Sequence, residues 1–153
     1  MDKKRIFGSG PACFILGIIL ILIVYYLELV FQVPRIQISD YFSSLIFVIT
    51  IVLALVIMLW GFVSLPLKKR GNKLVTDKAF KYFRHPIYAG FLDFFVFGLG
   101  FYLKSFGILI LGIILIFLCG KIVDNEEEYL IKQFGQKYKA YQKRTKKFMP
   151  GVY

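Results

Sequence analysis

Apolar residues in this chain are gathered into long runs separated by short polar breaks. Residues 12–31 carry a single charge, Glu28, and residues 42–65 carry none. Two further runs, 87–103 and 106–123, are separated only by Lys104-Ser105. Runs of this length predict four transmembrane helices. At about 1.5 Å rise per residue, each of the last two spans roughly 25 Å. Their similar lengths and the tight turn between them return the chain to the side it left. His85, at the head of the third span, and Glu126-Glu127, just past the fourth, are therefore expected at one membrane face.

After Val123 the pattern changes. The acidic cluster from Asp124 to Glu128 leads into a stretch where Leu130, Phe134, Tyr138, Tyr141 and Phe148 recur on one helical face. Lys132, Lys139, Lys143 and Lys146 fall largely elsewhere. This predicts an amphipathic surface helix over 125–147, weakened or bent at Gly135, with a basic face on anionic lipid. Between the second and third spans, residues 72–83 mix Leu74, Val75, Phe80, Tyr82 and Phe83 with charges. They are too short and polar to cross, and are expected on the membrane surface, partly as loop. The fold class is thus all-α and integral to the membrane, with four spans and a C-terminal surface helix in one domain over 1–153.

Composition supports this. Hydrophobic residues make up 58% of the chain and the mean hydropathy is +0.69, too apolar for a soluble domain of this size. Of 20 Lys and Arg, all but Arg35 and Lys104 lie on one side of the expected topology. The positive-inside rule makes that side cytoplasmic, with both termini on it. In a prokaryote the membrane would be the inner one. Topology and attraction to anionic lipid account for the basic excess, so no nucleic-acid partner is implied. The basic N-terminus ahead of an apolar run imitates a signal peptide, but the run is long and lacks a small-residue cleavage site, which favours an uncleaved anchor.

Few residues are equipped for chemistry. There is one histidine, no Ser/His/Asp spacing, no metal cluster, no phosphate loop and no dinucleotide fingerprint, which argues against triad hydrolysis, zinc chemistry and a Rossmann domain. Cys13 and Cys119 fall inside expected spans and read as small apolar residues, neither a disulfide nor a zinc pair. Glu28, near a span end, reads as a carboxylate reaching headgroup water. Asp93 lies deep in the third span, where an ionised carboxylate costs about 2.5–3.5 kcal/mol on insertion scales. It is a functional suspect, or else neutral or hydrogen-bonded to a neighbouring helix. Gly98-Leu99-Gly100 reads as close helix packing. The ordinary reading of the Asp124–Glu128 cluster is a helix N-cap with glutamates in the first turn. That of His85 is an interfacial histidine. Their placement at one face beside an aromatic loop favours a shared site.

Several strings strengthen that reading: Leu74-Val75, then Arg84-His85-Pro86-Ile87-Tyr88-Ala89-Gly90, then Glu126-Glu127, Leu130, Phe134-Gly135, Tyr138, Tyr141 and Pro150. In order and register, across residues 72–150, they resemble the isoprenylcysteine carboxyl methyltransferase family and the related phospholipid methyltransferases. The resemblance implies S-adenosylmethionine held at the cytoplasmic face by Lys73, Leu74, Val75, Phe80, His85, Pro86, Ile87, Tyr88, Glu126 and Glu127. His85 and Arg84 would be catalytic, and a lipophilic acceptor would enter from the bilayer. Two departures stand out. The family's Gly-Pro-Tyr is Lys78-Ala79-Phe80 here. An arginine that meets the substrate carboxylate is replaced by Ile122 with Lys121 beside it, so these two become the acceptor-recognition positions. The alternatives are a nicotinamide-dependent membrane reductase of the steroid-reductase type, which has a related C-terminal half, and a non-enzymatic basic membrane scaffold.

Overall fold

The computed structural model describes residues 10–65 and 73–149, and every regular element named among them is helical. Lys3, Lys4, Arg5, Pro66, Lys68, Lys69, Arg70, Asn72 and Pro150 lie outside the described residues. The elements are α1 (Gly10–Val30), α2 (Asp40–Ser64), the single turn α3 (Ala79–Tyr82), α4 (Pro86–Tyr102), α5 (Phe106–Phe134) and α6 (Gln136–Arg144). Helices α1, α2 and α5 are long and apolar enough to cross a membrane, and α4 is a shorter apolar helix. Isoleucine, leucine, valine and phenylalanine remain widely exposed along α1, α2 and the first part of α5. In a protein of this hydropathy such surface faces lipid.

The core lies where α4 meets its neighbours. Leu92 and Val96 of α4 and Ile108, Leu115, Cys119 and Val123 of α5 have no exposed surface. Helix α4 is not uniform: Gly90–Val96 is a π-helical stretch between α-helical ends. Asp93 sits in it with both carboxylate oxygens buried and without a hydrogen-bond partner, so a bond to a neighbouring helix is not what holds it. Small residues let α4 approach α2. A Cβ on Gly90 would meet Met58 Cγ at 2.5 Å and Ala54 O at 2.9 Å, and one on Gly98 would meet Thr50 Oγ1 at 1.9 Å and its Cβ at 2.9 Å. Thr50 is β-branched and its hydroxyl is held by the carbonyls of Ile46 and Phe47, so it has little room to yield. Gly98→Ala is expected to cost about 1–3 kcal/mol by overpacking, read as a lower thermal midpoint in detergent; an unchanged midpoint would show that the helices separate freely.

Two boundaries differ from the sequence expectation. The fourth apolar helix does not end near 123. It runs on to Phe134, because the acidic cluster contains good helix formers and no Gly or Pro. The Asp124–Glu128 residues therefore lie inside a helix and do not cap one. The break comes at Gly135, whose φ of 57° ends the helix at a position glycine adopts without steric cost. Helix α6, on the far side of this break, is short and closes at Thr145. Its apolar side does not lie open: Tyr138 and Tyr141 are buried within the protein at 1% and 3% exposure, and Phe148, in the segment that follows, at 0%.

Glu28 also departs from expectation. It is buried, its Oε2 pairs with Arg35 Nη1 at 2.8 Å, and its Oε1 accepts the Gly107 N–H at 2.7 Å. The Arg35 guanidinium lies 5.3 Å from the Tyr25 ring centre. The first N–H groups of a helix lack partners within it and carry the positive end of the helix dipole. Glu28 thus caps α5 from α1, beside Ser105, whose hydroxyl accepts from Ile108 N at 2.9 Å.

Candidate functional site

At the opposite end of α5, past its apolar run, the polar residues converge on Glu127. The helix places it there by phase: Cys119, Val123 and Glu127 follow at steps of four and all are buried. Arg84 Nε donates to Glu127 Oε1 at 2.8 Å, and Arg84 Nη2 to Oε2 at 3.3 Å. Gln142 Nε2 donates to Oε2 at 2.9 Å, and the Tyr138 hydroxyl lies near the same carboxylate. His85 Nε2 lies 3.1 Å from Oε1. Burial opposes the charge on Glu127, but the His85 hydrogen bond, the nearby His85 and Arg84 charges and the Gln142 amide outweigh it and hold the carboxyl at about 2. An ionised carboxylate only accepts, so His85 must carry a proton on Nε2. In a neutral ring this leaves the lone pair on Nδ1.

That second nitrogen faces Glu126, with Oε2 at 3.9 Å, beyond hydrogen-bond distance. Glu126 is half-buried and accepts from the Tyr88 hydroxyl at 3.2 Å. The Tyr88 ring is set among aromatic neighbours, with centroids 5.6 Å from His85, 6.1 Å from Phe148 and 6.2 Å from Phe14. The two adjacent glutamates therefore have different settings. Glu127 is enclosed by donors, while Glu126 lines a half-open aromatic corner.

Arg84 is the hinge between this corner and a second one. Its Nη1 also donates to the carbonyls of Gln142 and Thr145, at 3.0 and 2.8 Å. The segment after α6 lies alongside: Arg84 N donates to Lys146 O and His85 N to Lys147 O, at 2.9 and 3.1 Å, forming a single parallel bridge between Phe83 and Lys146. On the other side of Arg84 is a pocket of about 80 Å³. Its walls include Lys73, Leu74, Val75 and Phe80 from the loop and Leu130, Phe134, Tyr138 and Tyr141 from the tail. The Tyr141 hydroxyl donates to Phe80 O and fixes loop to tail. Burial pushes the hydroxyl pKa of Tyr138 and of Tyr141 up, so both stay protonated donors.

The residues singled out from sequence thus fall into two adjoining groups. Lys73, Leu74, Val75 and Phe80 line the pocket; His85, Tyr88 and Glu126 form the aromatic corner; Arg84 and Glu127 join them. Pro86 is buried and starts α4, while Ile87 is half-buried on α4, with its Cγ1 3.3 Å from where a Gly61 Cβ would lie. Lys121 is exposed and Ile122 packs partly into the core. The ammonium placed beside that turn is Lys147, whose Nζ donates to Gly120 O and to Asp124. Sequence reasoning does not find Lys147, Gln142 or Phe148 as site residues. For Phe148 a signal exists in the tail's apolar stripe, but the stripe alone points to lipid.

The chain is 31% identical over 86 residues to the Protein-S-isoprenylcysteine O-methyltransferase of Dictyostelium discoideum, covering 56% of this chain and 36% of that protein. It is 33% identical over 86 residues to the protein of the same name from Schizosaccharomyces pombe, covering 54% of this chain and 35% of that one. The matches span only about a third of the length of these curated relatives. A family model described as a protein of unknown function, DUF1295, matches residues 12–145, and the chain belongs to that family.

Proposed function

We propose that this protein is a membrane methyltransferase that uses S-adenosylmethionine and acts on a lipid-like or prenylated acceptor. The observation that carries it is the pairing of an apolar aromatic pocket with a carboxylate corner across Arg84 and Glu127. Such a pairing suits an amphipathic nucleoside: Leu74, Val75, Phe80 and Phe134 offer surface to a purine, and Glu126 offers an acceptor to an ammonium or to ribose hydroxyls. When bound, the cofactor supplies an electrophilic methyl on a sulfonium. Tyr88 presents a π-face that favours such a cation, and a neutral His85 ring would present a lone pair at Nδ1. A carboxylate or thiolate acceptor needs no base; an amine needs one, and His85 would take its proton at Nδ1. Arg84, with its N–H groups committed to Glu127 and two carbonyls, acts by positioning. Lys121, Ile122 and Lys147 lie where an acceptor arriving from the bilayer would be recognised.

In this reading α4 completes a set of four spans, the basic side is cytoplasmic and exposed lysines of α6 rest on anionic lipid. Titration of the purified protein in nanodiscs with S-adenosylmethionine tests the proposal, and absence of binding sinks it. A response to NADPH alone would favour a membrane reductase instead. Glu126→Ala and His85→Ala are each expected to weaken S-adenosylmethionine binding at least tenfold, equivalent to about 1.4 kcal/mol or more. Wild-type affinity in both variants would place the cofactor elsewhere.

A further inference from the structure

The chain has two cysteines, one on α1 and one on α5, and the fold brings them together. Cys13 is 1% exposed and Cys119 is fully buried, and their thiols lie close enough to interact. The helix register confirms the placement independently. A Cβ on Gly17 would meet the Leu115 side chain at 3.8 Å, and one on Gly107 would meet Val24 Cγ1 at 2.8 Å. Helices α1 and α5 therefore run antiparallel with Gly17 beside Leu115. Four residues back along α1 and four residues on along α5, on the same faces, stand Cys13 and Cys119. Glycines at the contact let the two backbones approach closely, which a disulfide requires: its Cα atoms must lie within about 7 Å.

The position also matters. Cys119 lies two helical turns before Glu126 on α5, and Phe14, next to Cys13, packs on Tyr88 and Phe91 with centroids 6.2 and 4.6 Å away. A covalent link at this point would fasten the first helix over the corner built by Tyr88 and Glu126. Burial in an apolar core keeps soluble thiols and disulfides such as glutathione away from the pair. The protein itself covers the pair, so an oxidant reaches it only as α1 and α5 part. The outer faces of both helices there are apolar, with Ile15, Ile18, Ile114 and Phe117 exposed, so that oxidant comes from lipid.

We propose that Cys13 and Cys119 are a redox-active dithiol that a lipophilic quinone closes to an interhelical disulfide. The S–S bond forms as both S–H bonds break; the electron pair and the two protons pass to the quinone, which leaves as the quinol. This assignment is independent of what the neighbouring corner binds.

The test counts thiols. Protein in nanodiscs is incubated with decylbenzoquinone, then denatured and alkylated with N-ethylmaleimide, and its intact mass is measured. Untreated protein should take up two adducts. Quinone-treated monomer should take up none, and recover both after dithiothreitol; digestion should yield a peptide pair joining Cys13 to Cys119. Cys13→Ala and Cys119→Ala should each retain one adduct after treatment, with no loss from the monomer. Two adducts persisting in quinone-treated wild type would overturn the proposal, and so would disulfides found only between chains. Closure as fast with oxidised glutathione as with the quinone would overturn the assignment of a bilayer-borne oxidant.

Discussion

Replacing Glu127 with alanine is expected to lower the stability of the fold by about 3–5 kcal/mol, the cost of leaving a buried partner charge uncompensated. The charge left behind is Arg84, whose side chain is 10% exposed against 5% for Glu127. Removing the carboxylate also strands Gln142 and one nitrogen of His85, both of which contact it. The loss should appear as a lower unfolding midpoint in detergent. Glu126→Ala should leave that midpoint close to wild type, since Glu126 is half-buried in an open corner. Equal midpoints for the two variants would contradict the division of labour between the glutamates. The same residue sets a pH dependence. Its carboxyl is held at about 2, below the usual 4.5. A depressed folded-state pKa contributes stability that is complete above the unfolded value and is lost as pH falls through the folded one. The gap between wild type and Glu127→Ala should therefore stay level from neutral pH down to about 5 and close between about 4.5 and 2.

Glu28→Ala is the second large effect expected, at about 3 kcal/mol. It sits at the other end of the bundle, so its effect should add to that of Glu127→Ala. Two losses combine. The Gly107 N–H at the start of α5 loses its acceptor, and an unsatisfied buried donor costs about 1–3 kcal/mol. Arg35 loses its ion pair, but its side chain is 30% exposed and can turn to water, which keeps the total below that at Glu127. Arg35→Ala alone should cost less than Glu28→Ala, because it leaves the cap on Gly107 in place. Thermal unfolding of the two single variants and the double variant gives the coupling. A Glu28→Ala protein as stable as wild type would mean that the carboxylate reaches headgroup water after all.

The apolar helices are legible in the sequence because bilayer thickness demands a run of a certain length and little else satisfies it. The meeting of His85 with the Glu126-Glu127 pair is legible too, since two runs of matching length joined by a tight turn require it. Which glutamate forms the hub is not. Restarting the helix at residue 125 discards the phase that Cys119 and Val123 carry into the polar segment, and with it the rule that a residue four further on shares their buried face. Continuing α5 to Gly135 restores that phase. The tail's aromatic stripe is visible, but hydrophobic spacing does not state whether lipid or protein covers it. The donors from Gln142 and Lys147 and the carbonyl of Thr145 are hidden for a related reason: they act through the backbone or across long sequence separations. Glu28 misleads because its partner, the Gly107 N–H, becomes a free donor only once α5 begins there.

Arg84 draws its partners from residues made after it. Glu127 lies 43 positions downstream, Gln142 and Thr145 lie 58 and 61 positions downstream, and the strap that pairs with Arg84 and His85 comes after α6. During synthesis the apolar helices can enter the bilayer one after another on hydrophobicity alone. The corner at their ends cannot close until the chain through Lys147 has emerged. An unfinished chain would therefore hold the apolar helices while Arg84 still lacks its downstream partners. Assembly thus divides into two events with different physics: hydrophobicity gathers the helices, and docking of a later polar segment completes the corner around Arg84.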